Sequence, residues 1–158
     1  MTQYAAMGRP GRCLVFRLAP GTDLMTGLRE MAEAHRITAA YVPTLIGGVN
    51  EATLEVATPS DESPVGVVAK KIHLAGPLAI CGAQGMMCEV EEGKIGPHLH
   101  ITFVDRNGHL HGGHLEEGSA PVTTTADVIM QEVLDVKFGR RFDEKVQTTL
   151  FFPSPATD

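Results

Sequence analysis

His98-Leu99-His100-Ile101-Thr102-Phe103-Val104-Asp105-Arg106-Asn107-Gly108-His109-Leu110-His111-Gly112-Gly113-His114-Leu115 alternates apolar and polar residues on either side of a short polar break. Period-two alternation is the pattern of a strand with two unlike faces. Leu99, Ile101 and Phe103 fall on one face, and His98, His100 and Thr102 on the other. Two imidazoles then share a face about 7 Å apart, twice the rise per residue. Asp105 to His109 fits a three-residue hairpin loop, a type I turn in which Gly108 supplies the left-handed position. That loop sets Asp105 against His109 and places His100 opposite His114 on the same face. His109 and His111 then point to the other side. A loop of two or four residues, or a bulge at Gly112-Gly113, would flip the second strand and exchange His111 with His114.

Five of the seven histidines of the chain lie between His98 and His114, far more than an even spread would put there. Two imidazoles from one strand and one from its neighbour make the ligand set of an open zinc site, with bonds of about 2.0–2.1 Å and a fourth position free. Other first-row divalent ions suit the same ligands. The open position permits hydrolysis or hydration, because a bound ion lowers the pKa of its water to about 7. Glu116, two residues beyond His114, is a weak candidate for the acid or base such a reaction needs. Two plainer readings stand beside the metal: histidines solvated on a sheet face or in a subunit contact, and a pH-responsive patch of imidazoles that repel one another once protonated.

Outward from this hairpin, the chain reads mostly as strands. Arg12–Leu18, Thr53–Val56, Val67–Leu74, Leu78–Cys81, Met86–Val90, Val122–Ile129 and Val146–Phe152 have strand character. Ile37–Ile46 does too, with Pro43 placing it at an edge or interrupting it. Gly47-Gly48 reads as a turn, and Gly76, Gly82 and Gly85 as breaks between strands. Asp23 to His35 is the one clear helix, with apolar residues at Leu24, Leu28, Met31 and Ala32 and an N-cap at Thr22 or Asp23. Gln131–Leu134 suits a short helical piece, and Thr58–Gly66 a surface loop. The expected class is α+β: a highly twisted mixed or antiparallel sheet with one main packed helix. The division that follows is a flexible N-terminal arm over 1–11, a single domain over 12–152 and a C-terminal tail over 153–158.

Composition narrows the function. At 158 residues the chain is one domain in size. Its net charge of −6 repels phosphate backbones and disfavours free DNA binding. Gly8-Arg9-Pro10 is the core of an AT-hook, but Met7 stands where a hook has a basic residue. Lys70-Lys71 and Arg140-Arg141 are isolated basic pairs with acids nearby, as on solvated faces. No apolar run is long enough for a membrane span, no secretory signal is evident, and the cytoplasm is the expected location. Cys13, Cys81 and Cys88 lack any C-x-x-C spacing and read as reduced, buried thiols. No phosphate loop, dinucleotide fingerprint or nucleophile elbow is present, so no organic cofactor site is expected.

Gly96-x-His98-x-His100, Asp105-x-x-Gly108 and Gly112-Gly113-His114-Leu115-x-x-Gly118, followed by Val122 and a Thr-rich strand, resemble the plant and prokaryote conserved (PPC) domain, in its stand-alone prokaryotic type. Leu18-x-Pro20-Gly21-x-Asp23-Leu24 and Ile46-Gly47-Gly48-Val49 are similar to upstream features of that family, and the resemblance runs from about Arg12 to Phe152. It implies a twisted sheet with a packed helix, a homotrimer, and a metal site at His98, His100 and His114. It leaves the reaction and any small-molecule ligand undefined. Plant members are DNA-associated, so a DNA-associated or regulatory module is the alternative, and a metal-dependent hydrolase or hydratase the second. Pro77 and Ala79 stand where the plant type has Arg and Glu, so partner specificity does not carry across.

Overall fold

The computed structural model describes residues 4–156 apart from 92. Residues 1–3, 92 and 157–158, which include ends of the expected arm and tail, lie outside the described residues. In chain order the elements are β1 (Arg9–Leu18), α1 (Leu24–Ala34), β2 (Ala40–Pro59), β3 (Val67–Glu91), β4 (Lys94–Val104), β5 (Leu110–Leu115), β6 (Val122–Leu134), β7 (Val136–Asp143) and β8 (Thr148–Pro155). The strands form one eight-stranded sheet in the order β1-β6-β2-β5-β4-β3-β7-β8, with β2 also paired to β3. Strands β2, β5, β4 and β3 therefore pair in a closed circuit that leaves each protected from edge-on association. Every pairing is antiparallel except the contact of β3 with β7 at Glu89 and Gly139, so the sheet is mixed.

This corrects the expected α+β class. The described residues are mostly strand, and the single helix of eleven residues is too short to form a layer of its own. The difference lies in the glycines. Gly76, Gly82 and Gly85 do not divide β3, which runs unbroken through all three. Gly47-Gly48 does not turn the chain either; it lies inside β2. At Gly47 the backbone has a φ of 152° and passes so near β6 that a Cβ would stand 2.1 Å from the Thr125 carbonyl oxygen. Glycine here permits close approach of two backbones rather than a reversal. Pro43 is likewise internal, tolerated where the β2–β6 register shifts between Tyr41 and Thr44 and where no ladder partner calls for its missing N–H. Gln131–Leu134 continues β6 as strand rather than helix.

The core gathers from both periodicities. Leu99, Ile101 and Phe103 of β4 are buried with Leu54, Leu78, Met87, Leu115, Val128 and Met130 of neighbouring strands. Helix α1 adds Leu24, Leu28 and Ala32, the i, i+4, i+8 stripe of one helical face. Cys88 is buried, whereas Cys13 and Cys81 are exposed, against the expectation of three buried thiols. Both lie on strands whose outer faces meet solvent. Phe151 and Phe152 of β8 are half-buried, Phe152 against the Tyr4 ring.

Asp23 ties helix to sheet. One carboxylate oxygen accepts the Thr26 backbone N–H at 2.9 Å, capping α1, and the other accepts the Ala120 N–H at 3.0 Å. Replacing it leaves two donors without partners. Asp23→Ala is expected to lower unfolding free energy by about 1–3 kcal/mol. Asn at this position, which keeps one acceptor, should lose less; urea titration of the two variants measures the difference.

Candidate metal centre

The β4–β5 hairpin has the three-residue loop and register expected from its sequence. The Asp105 N–H donates to the His109 carbonyl and the Gly108 N–H to the Asp105 carbonyl, both at 3.0 Å, with Gly108 at a φ of 81°. His100 pairs with His114, and Phe103 with His111. His98, His100 and His114 therefore share one face, and each offers a ring nitrogen within 4.8 Å of the others. Ring centroids lie 4.7 Å apart for His98 and His114, 5.1 Å for His98 and His100, and 5.6 Å for His100 and His114. Gly113 makes this possible. A Cβ there would stand 2.7 Å from the Glu55 carbonyl oxygen, so only glycine lets β2 pack on β5 beside His114.

The electrostatics favour neutral rings. Burial, assisted by the nearby Arg140 guanidinium and the other two imidazoles, pushes the His98 pKa down to about 4. Burial, with His100 and Arg140, also holds His114 below the usual histidine range, against an opposing pull from Glu55. Neutral imidazole is the metal-ligating form. The Nδ1 atoms of His98 and His114 are buried and have no hydrogen-bond partner among the described residues. Orphaned buried acceptors of this kind are costly unless something binds them. A divalent ion would draw one ring nitrogen of each residue, now within 4.8 Å of one another, to about 3.4 Å apart at bonds of about 2.0–2.1 Å, a closure of about an ångström. The residues fit the group.

The other expected residues lie elsewhere. His111 Nε2 is 3.1 Å from Asp105 Oδ2, and His109 Nδ1 is 3.5 Å from the same oxygen, so both engage the turn and neither joins the triad. Glu116 lies past the end of β5, ion-paired to Lys71, and the structure does not bring it to the imidazoles. Sequence reading missed Arg140. It took Arg140-Arg141 for a solvated pair, yet β7 meets β3 at Gly139 and carries Arg140 to the neighbourhood of His98 and His114. No sequence signal relates residues so far apart, because one parallel contact joins them.

An eight-stranded sheet with a histidine triad on a hairpin face defines a β-sheet protein with a candidate metal centre. The Plants and Prokaryotes Conserved (PCC) domain family matches residues 5–134, and the chain belongs to that family. Its fold is similar to that of a metal-containing protein from Archaeoglobus fulgidus, with a TM-score of 0.79 and 26% identity over 96% of this chain and 99% of that one. A plant- and prokaryote-conserved (PPC) protein of Pyrococcus horikoshii has the same fold at a TM-score of 0.78, with 22% identity over 92% of this chain and 95% of that one. A candidate DNA-binding protein of Ralstonia eutropha JMP134 shares it at 0.70, with 22% identity over 87% and 88%. Among curated proteins, the bifunctional protein GlmU of Synechococcus sp. strain JA-3-3Ab is 30% identical over 146 residues, which cover 88% of this chain and 21% of that protein. The chain thus spans about a fifth of the length of the curated relatives it matches.

The depressed His98 pKa has a consequence for stability. Between about pH 6.5 and about pH 4 the unfolded chain binds a proton that the folded site refuses, so stability falls on acidification through that window and levels off below it. Metal-free protein should show this decline in urea midpoint. The His98→Asn variant, whose side chain does not titrate, should show a shallower one; equal slopes would contradict the assignment.

Proposed function

We propose that this PCC-domain protein binds one divalent ion of the zinc type per chain through His98, His100 and His114, with residues 12–152 acting as one domain. The observation that carries the reading is three imidazoles with ring nitrogens within 4.8 Å of one another, two of them with a buried, unpartnered Nδ1. The archaeal relative called a metal-containing protein supports it. When bound, such an ion supplies an open coordination position and a Lewis-acidic charge. The chain's own residues supply three imidazole nitrogens on a strand anchored in the core through its opposite face by Leu99, Ile101 and Phe103. Glu116, the acid or base a hydrolytic or hydrating reaction would draw on, is ion-paired to Lys71.

We further propose that the chain assembles as a homotrimer. Val15 is 70% exposed and Ile46 52% exposed. Val15 pairs with Ile129, which pairs with Thr44 two residues before Ile46, so these apolar side chains share one outer face. Exposed apolar side chains gathered on one sheet face suit a subunit contact and support this reading. Elemental mass spectrometry of tag-free protein should find about one ion per subunit, lost when His98 and His100 are both changed to Ala, with three chains per particle by sedimentation. Protein that carries no ion and takes up no added zinc would overturn the metal reading, and a monomer the trimer.

The DNA-associated reading draws its support from relatives with DNA-binding names. Against it, the chain is acidic, and Arg9 of the Gly8-Arg9-Pro10 tripeptide sits in β1 with its guanidinium 2.8 Å from Asp135. A gel shift with A·T-rich duplex is expected to show no complex at low salt; a complex that weakens steeply with salt would establish the second reading.

A further inference from the structure

We propose that the metal centre takes an oxyanion, the carboxylate or phosphate group of a small molecule, which bridges the open coordination position and the guanidinium of Arg140; this rests on the metal reading above. Strand β5 ends at Leu115, so the first half of β4 has no β5 neighbour. A cleft of about 690 Å³ opens there, and both His114 and Arg140 line it. Gly96, two residues before His98 on the same strand, also lines this cleft, with the Val90 side chain packed 3.0 Å from where a Cβ would stand.

Charge balance points the same way. A divalent ion on three neutral imidazoles keeps its full double charge, and no carboxylate belongs to the triad. Of the nearby acids, Glu116 pairs with Lys71, which also lies 3.9 Å from Glu55, while Glu33 lines the cleft without an ion pair among the described residues. The other cations lining the cleft are engaged as well, Arg29 with Glu117 and Lys94 with Glu91 at 2.5 Å. Arg140 differs. It donates one hydrogen bond, 3.3 Å to the Thr149 carbonyl, and has no carboxylate within ion-pair distance among the described residues. Most of its five donors therefore stay available for the bidentate recognition that guanidinium gives to carboxylate and phosphate. Its charge also lowers the pKa of His98, His114 and Cys88, in keeping with its place on the cleft that His114 lines.

The test uses the full chain loaded with cobalt(II), whose visible absorption reports changes in coordination. Metal content is measured first and separately. Acetate and inorganic phosphate are then titrated into wild type, Arg140→Gln, Arg140→Lys and Arg141→Gln, with circular dichroism confirming that each is folded. At least one anion should perturb the wild-type spectrum at millimolar concentration. Its dissociation constant should rise about tenfold or more in Arg140→Gln at unchanged cobalt content, with Arg140→Lys in between. Arg141, whose guanidinium stacks 3.7 Å from the Phe152 ring centroid, should be replaceable without effect. The acetate and phosphate arms show which oxyanion is preferred. Unchanged affinity in Arg140→Gln, or no spectral response to either anion in loaded wild type, would overturn the proposal while leaving the metal centre standing. Failure to load cobalt would overturn the metal reading, and this inference with it. Should Arg140→Gln fail to fold, Arg140→Lys decides: a dissociation constant measurably above wild type supports the proposal, and an unchanged one overturns it.

Discussion

Asp105 accepts the backbone N–H groups of Asn107 and His109 on one carboxylate oxygen, at 2.8 and 3.0 Å, and holds His111 with the other. The His111 ring, then the His109 and Asn107 amides, keep this carboxyl well below the usual carboxylate range, so it stays a charged acceptor throughout the range in which proteins function. The interaction fixes loop length, loop length fixes parity, and parity decides which histidines of β5 join those of β4. A one-residue slip would send His114 to the core face and Gly113 to the outer one. It would also pull Leu115 out of the core, where it is fully buried with Phe103. Turn chemistry and apolar packing thus select the same register, a consistency that specifies one structure strongly.

Two parts of the chain meet at the centre. The family match ends at residue 134, and within it lie all three imidazoles. Arg140 comes from β7, beyond that boundary, and reaches the site only because β7 adds to the edge of β3. The hairpin of β7 and β8 is therefore more than a trailing ribbon. The sheet within the family match carries the three imidazoles, and an added strand brings a cation close to them.

Much of this was legible in the sequence, and the misses share a cause. Strand β5 and helix α1 were readable because their signals are local: alternation at His98 to Leu115, and an N-cap at Asp23 before a stripe at Leu24, Leu28 and Ala32. The same locality made the triad readable once the turn was assigned. Strands β2 and β3 were not, since their glycines and Pro43 resemble punctuation. Only the neighbouring strand shows that Gly47 is there to let β6 pass. Overcounting breaks made the sheet look smaller and the helix weightier than they are. Arg140 was illegible for a related reason, because its role depends on a tertiary contact with no spacing rule.

X-ray absorption at the edge of the bound metal tests the central arrangement most directly. Three imidazole nitrogens and one light oxygen at about 2.0–2.1 Å, with the outer-shell scattering of imidazole rings, is the predicted first shell. Sulfur at about 2.3 Å, or a six-oxygen shell without imidazole, would place the ion away from His98, His100 and His114 and contradict the register-built centre.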